Sequence, residues 1–182
     1  EGQLRLDHME MLCRLDDFSL TMIEQPLSAD DYVGHAMVQE AVRTPLCLAE
    51  GIATVAQAEM ALELHSCKFV KIELGRVGGI TPALAIYKAC HDGCTPCWVG
   101  MPLQSAVGHW SALALAAKPD CSYPADFVPN RELLAVDLAE APLPAPDPAD
   151  KVQRVRLSDR PGIGFEPDMA VMEKHLLAKA SV

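Results

Sequence analysis

Three glutamates follow apolar runs along this chain. Glu24 follows Leu20-Thr21-Met22-Ile23, Glu50 follows Leu46-Cys47-Leu48-Ala49, and Glu73 follows Phe69-Val70-Lys71-Ile72. Carboxylates that converge on one point suit a hard divalent cation such as magnesium. Glu24 and Glu50 are therefore candidate metal ligands. Lys71 and Glu73 are two residues apart, so on a strand they share a face. The plainer alternatives are solvated loop glutamates and a local Lys71–Glu73 ion pair. Arg76 can pair with a substrate anion or with Glu73. Asp126 can hydrogen-bond at the same end of the fold or cap a loop. The six histidines show no metal-ligand spacing and read as surface or helix-end residues. Trp98 and Trp110 read as core.

These residues need strands to hold them. Five short apolar runs centre on Met22, Leu48, Ile72, Trp98 and Tyr123, spaced 24 to 26 residues apart. Helical segments lie between them. Asp30 can cap a helix over 31–42. Thr54-x-x-Gln57 is a capping box for a helix to about His65. Thr81-Pro82 offers a cap and a first-turn proline for a helix over 83–90. Ser105 can cap a helix to Ala117, and a first helix is expected over 7–15. A steady strand–helix beat is a repeating β/α unit, and parallel strands need crossovers of this length. No Gly-x-Gly-x-x-Gly follows a strand, so a nucleotide-binding open sheet is disfavoured. The expectation is an α/β fold: a partial (β/α) barrel of five units over residues 1–128. Residues 129–182 form a tail that packs on it. Within the tail, 141–149 carries four prolines and reads as extended. Val152–Leu157 can be an edge strand, Pro161–Gly164 a turn, and Pro167–Ala180 a terminal helix.

Composition narrows the function. The 182 residues carry a net charge of −10 and are 50% hydrophobic. An acidic chain argues against nucleic-acid and anionic-membrane partners, which require basic patches. No apolar run reaches the ~18 residues of a membrane span. The N-terminus shows no signal-peptide stretch. The seven cysteines lie largely in apolar segments. That suits structural thiols in a reducing, cytoplasmic setting. Cys90-x3-Cys94-x2-Cys97 has the spacing of a three-cysteine iron–sulfur motif. However, Cys90 closes a helix and Cys97 enters a strand, the end of a β/α unit opposite to where a cluster loop belongs. A regulatory dithiol or a zinc site are the other readings.

Three motifs carry a resemblance. Ile23-Glu24-Gln25-Pro26-Leu27, Thr44-Pro45-Leu46-Cys47-Leu48 and Gly75-Arg76-Val77-Gly78-Gly79 resemble the enolase superfamily. The branch is the muconate-lactonizing group, with o-succinylbenzoate synthases, N-acylamino acid racemases and dipeptide epimerases. Pro161-Gly162-Ile163-Gly164 resembles the tail of the same proteins. The resemblance implies the fourth to eighth strands of that barrel. It implies magnesium, a small carboxylate substrate, and removal of a proton beside the carboxylate by lysine acid–base groups. Glu24 matches the middle metal ligand. Ala49 stands where the third ligand, an aspartate, belongs. Glu73 stands where a lysine belongs. In a rebuilt site, Glu73 would take the missing aspartate's role and Lys71 would be a displaced base, which makes Lys71 and Glu73 the candidate catalytic residues. The alternative is a local Lys71–Glu73 pair. Gly100-Met101-Pro102-Leu103-Gln104-Ser105 departs from the family's Gly-Gly-Met-Leu-Glu-Ser, with glutamine for glutamate. The first ligand and a lysine pair would lie before residue 1.

The expected function is therefore a racemase, cycloisomerase or lyase scaffold with replaced catalytic positions, inactive by itself. The alternatives are a non-catalytic binding or assembly module, or half of a split enzyme. Self-association or a complementing N-terminal half is expected, because open sheet edges invite pairing.

Overall fold

The computed structural model describes residues 2–126, 134–139 and 154–177. Among them, four short strands form one parallel sheet in the order β1-β2-β3-β4. They are β1 Ile23–Glu24, β2 Leu46–Leu48, β3 Phe69–Glu73 and β4 Cys97–Gly100. The helices are α1 Met9–Arg14, α2 Tyr32–Ala41, α3 Val55–Glu63, α4 Leu74–Val77, α5 Ile80–Asp92, α6 Ala106–Ala116 and α7 Met169–Lys174. Each strand pair is joined through helix, as parallel neighbours require. No helix among the described residues is long and apolar enough to cross a membrane.

β2, β3 and β4 are buried almost throughout, whereas in β1 Ile23 is half-buried and Glu24 exposed. One face carries Leu46, Leu48, Val70, Ile72 and Val99, which join Val38, Ala58, Ile86 and Leu113 in the main apolar cluster. Each fully buried aliphatic side chain contributes about 1.5–3 kcal/mol. The alternate residues Cys47, Lys71, Glu73, Trp98 and Gly100 turn to the other face.

Several boundaries differ from the sequence expectation. The α2 cap is Asp31, not Asp30: its carboxylate accepts from Gly34 N at 2.7 Å. Asp30 accepts from the Ser28 hydroxyl instead. Thr54 caps α3 as expected, accepting from Gln57 N at 3.2 Å. Gln57 reaches back to accept from Ala53 N at 3.0 Å. α4 forms as a single turn in the first part of the Gly75–Gly79 motif. Gly78 at φ 89° and Gly79 at φ 110° turn the chain from α4 into α5, a conformation that glycine adopts without steric cost. So α5 starts at Ile80, and Thr81 and Pro82 lie inside its first turn, where a missing N–H costs no hydrogen bond. Ser105 makes no side-chain cap on α6. Asp137 supplies one from the distant tail, accepting from Ala106 N at 2.9 Å.

The fifth strand shrinks to one parallel bridge, Cys97 to Cys121. Pro119 and Pro124 flank it and can donate nothing to a ladder. No strand forms over 154–157, while the turn at 161–164 is present, with Gly162 and Gly164 at positive φ. The terminal helix is shorter than expected and is capped by Asp168, which accepts from Ala170 N and Val171 N. The proline-rich stretch 141–149 and the boundary expected at 128/129 lie outside the described residues.

Asp16 ties the first helical turns to the loop before β2. Its carboxylate accepts from Arg43 N at 2.8 Å, Thr44 N at 2.8 Å and the Thr44 hydroxyl at 2.6 Å. The Thr44 hydroxyl, then these backbone N–H groups, lower its pKa from 3.8 to about 2. A carboxyl depressed on folding stabilises the fold above its unfolded pKa. That stability disappears as pH falls from 3.8 towards about 2. Asp16→Ala is expected to lower Tm at pH 7 and to flatten the acid limb in that window. Thermal melts from pH 5 down to pH 2 check it, and parallel limbs for variant and wild type would refute it.

Candidate functional site

The strand ends gather the chemistry around one lysine. The β3–β4 register sets Lys71 beside Trp98 and Glu73 beside Gly100. The Lys71 ammonium lies 3.0 Å from Asp126 Oδ2, 3.1 Å from Glu24 Oε1 and 3.5 Å from Glu73 Oε1. It also lies 4.9 Å from the centre of the Trp98 ring, within cation–π range. Its side chain is 10% exposed. The Trp98 indole N–H donates to Cys47 Sγ at 3.3 Å, and burial pushes the Cys47 thiol up to about 12. Arg76 Nε donates to Glu73 Oε2 at 2.8 Å. The other oxygen of Asp126 accepts from Met101 N.

Burial opposes the charge on Lys71. The hydrogen bonds to Asp126 and Glu24 outweigh it and hold the ammonium above the ordinary lysine value. At neutral pH Lys71 is therefore a protonated donor, not a base. Gly100 makes room for it: a Cβ there would lie 2.2 Å from Lys71 Cε and 3.0 Å from Glu73 Cγ.

Gln25 locks the ends of β1 and β2. It is buried at φ 38°. Its Oε1 accepts from Ala49 N and Gly51 N, each at 3.0 Å. Its Nε2 donates to Leu27 O at 3.1 Å and lies 3.3 Å from His35 Nε2. His35 Nε2 accepts from Leu27 N, while Nδ1 faces Asp31 O at 2.6 Å. These partners assign the proton to Nδ1. Burial lowers the His35 pKa and keeps it neutral.

The structure thus brings together Lys71, Glu73 and Glu24 of the sequence candidates, with Asp126 in the first of the two roles open to it, hydrogen-bonding at this end of the fold. Glu50 stays apart. Its Oε2 is buried without a hydrogen-bond partner. Arg76 takes Glu73, one of the two roles open to it. His35 and His109 are fully buried, not surface or helix-end residues. Cys90 and Cys97 are buried and Cys94 is exposed, and all seven cysteines are free thiols. Two positions carry more than the sequence reading gave them. Gln25 follows a strand and precedes a proline, so a side-chain anchor was legible there. Gly100 sits inside an apolar strand, which signals a close approach.

Magnesium, which the resemblance implies, does not fit these residues. Ala49 offers a buried methyl group where a carboxylate would be needed. Lys71 fills the space between the carboxylates that remain. Among the described residues no three His, Cys, Asp or Glu groups converge as a metal centre.

Comparison with known proteins supports the fold reading. The chain is 35% identical to an o-succinylbenzoate synthase of Geobacillus stearothermophilus over 166 residues, 91% of this chain and 43% of that protein. It is 35% identical to an N-succinylamino acid racemase of Amycolatopsis over 129 residues, 71% of this chain and 35% of that protein. A solved member of the enolase superfamily from Enterococcus faecalis V583 superposes with a TM-score of 0.84 at 30% identity, covering 96% of this chain and 46% of that one. The chain spans less than half the length of these relatives. The parallel sheet with helical crossovers agrees with the barrel-type domain of that superfamily. Since the model of the enolase C-terminal domain-like family matches residues 3–171, the chain belongs to that family.

Proposed function

We propose that this chain is the later part of an enolase-superfamily (β/α) barrel that keeps the scaffold of the synthase and racemase branch without its metal chemistry. It serves as a binding or assembly module beside barrel strands supplied by an N-terminal half or a second copy. One observation carries this reading. An ammonium has three protons to donate, and three carboxylates stand within 3.5 Å of Lys71. Its charge is thus already met by carboxylates of the chain itself rather than left open to a substrate carboxylate. Arg76 spends its Nε–H on Glu73. The sheet edge at β1 and the single bridge beyond β4 are the surfaces that added strands would extend.

Titration of the chain with magnesium by calorimetry is expected to give no saturable heat at millimolar metal. Sedimentation is expected to show self-association, or a complex once an N-terminal half is supplied. Saturable magnesium binding, or a strict monomer that ignores the N-terminal half, would remove the reading.

The 35% identity to a synthase and a racemase favours a second reading. In it, the assembled barrel performs lyase or racemase chemistry on a small carboxylate with an acidic neighbouring C–H. Glu73 would be its base. Turnover by the assembled protein that disappears in Glu73→Gln would establish it. If Ala49→Asp with Glu73→Lys creates turnover where the natural chain has none, the first reading stands.

A further inference from the structure

We propose that Lys71 is the built-in cation of this site, a positioning residue whose ammonium holds together the strand ends that a divalent ion would otherwise hold. The proposal rests on the metal-free reading above.

The three carboxylates come from separate parts of the chain: Glu24 from the end of β1, Glu73 from the end of β3, and Asp126 from beyond the last bridge. In the fold the nearest oxygen of each lies within 3.5 Å of one cation, the Lys71 ammonium. Without one, three negative charges would face each other in a partly dry site, which is unfavourable. A divalent metal solves this with oxygens at roughly 2.0–2.6 Å. Here the separations are 3.0, 3.1 and 3.5 Å, the range of ammonium–carboxylate contacts.

The sequence around Lys71 is arranged for this task. The lysine lies two residues before Glu73 on the same strand face, so its four-carbon arm runs up to the strand ends. Gly100 on β4 leaves the channel for that arm. Trp98 lies under the ammonium. Ala49, with its backbone N–H held by Gln25, adds no fourth carboxylate. The charges also balance locally. Lys71 and Arg76 offset two of the three carboxylates, leaving one negative charge shared by the partly exposed Glu24 and Asp126. The cation arrives with the fold and cannot be chelated away.

The test is to exchange one cation for another. Lys71→Ala removes the ammonium and its arm and leaves the carboxylates in place. Its Tm is expected to fall by roughly 4–8 °C. Millimolar magnesium or manganese is expected to restore at least half of that loss, while potassium at equal ionic strength does not. Wild-type Tm is expected to ignore both metals. In Lys71→Ala carrying Glu24→Gln and Asp126→Asn, the metal response is expected to vanish. A folded Lys71→Ala that ignores divalent metal overturns the proposal, even if the wild type binds none and the metal-free reading survives. Saturable stabilisation of the wild type overturns both. Should Lys71→Ala not fold in chelator, refolding with manganese is read instead. Recovery in manganese alone supports the proposal, and failure in both overturns it.

Discussion

Gln25→Leu is expected to destabilise the fold by about 3–5 kcal/mol, among the largest effects of any single substitution here. Leucine is apolar, ends one bond short of the amide oxygen and nitrogen, and removes every polar contact of the amide. Ala49 N and Gly51 N then lose their shared acceptor, and Leu27 O loses a donor. Each is at a buried position where water has little access. An orphaned buried polar group costs about 1–3 kcal/mol. Gln25 also sits at φ 38°, a conformation that a residue without a local polar tie occupies at some cost. Urea denaturation followed by circular dichroism measures the change. A loss under about 1 kcal/mol would mean that water replaces the amide, and the lock between β1 and β2 would not be as described.

Gly100→Ala is the second. A methyl group there would stand 2.2 Å from Lys71 Cε, 3.1 Å from Lys71 Cδ and 3.0 Å from Glu73 Cγ. No contact of 2.2 Å survives, so Lys71 must move. Its ammonium then leaves Asp126 and Glu24 without their cation. Overpacking costs about 1–3 kcal/mol. Displacing a paired charge adds to that, discounted because Glu24 and Asp126 are 35% and 40% exposed. A total of about 2–4 kcal/mol is expected. Gly75→Ala is the control. It lies in the α4 turn with nothing within 4 Å of the added methyl, and alanine is the better helix former. It should be neutral or slightly stabilising. Equal losses at both glycines would show that steric conflict with Lys71 is not the cause.

The scaffold was legible because its signals are local. The apolar runs at 46–48 and 69–72 and the Thr54–Gln57 cap act within a few residues. The beat of 24 to 26 residues follows from the length of a helical crossover. Errors arose where a distant group intervened or a local one competed. Asp137 replaced Ser105 as the partner of the α6 N-terminus. The turn at Gly78 and Gly79 starts α5 at Ile80, ahead of the helix expected over 83–90. Two prolines reduced the fifth strand to a bridge.

The candidate site divides along the same line. By itself the sequence determined that Lys71 and Glu73 share a strand face, that Ala49 cannot ligate a metal, and that Glu24 ends a strand. Residue type and a period of two settle each of these. Only the tertiary structure decided what the charges do. It left Glu50 aside, drew in Asp126 from more than fifty residues beyond Lys71, and gave Arg76 to Glu73. It also set the ammonium between the carboxylates through the space left by Gly100. The physical reason is that an ion pair depends on distances of a few ångströms and on local burial. Strand register and loop closure fix both, and neither is encoded within a few residues of the charge.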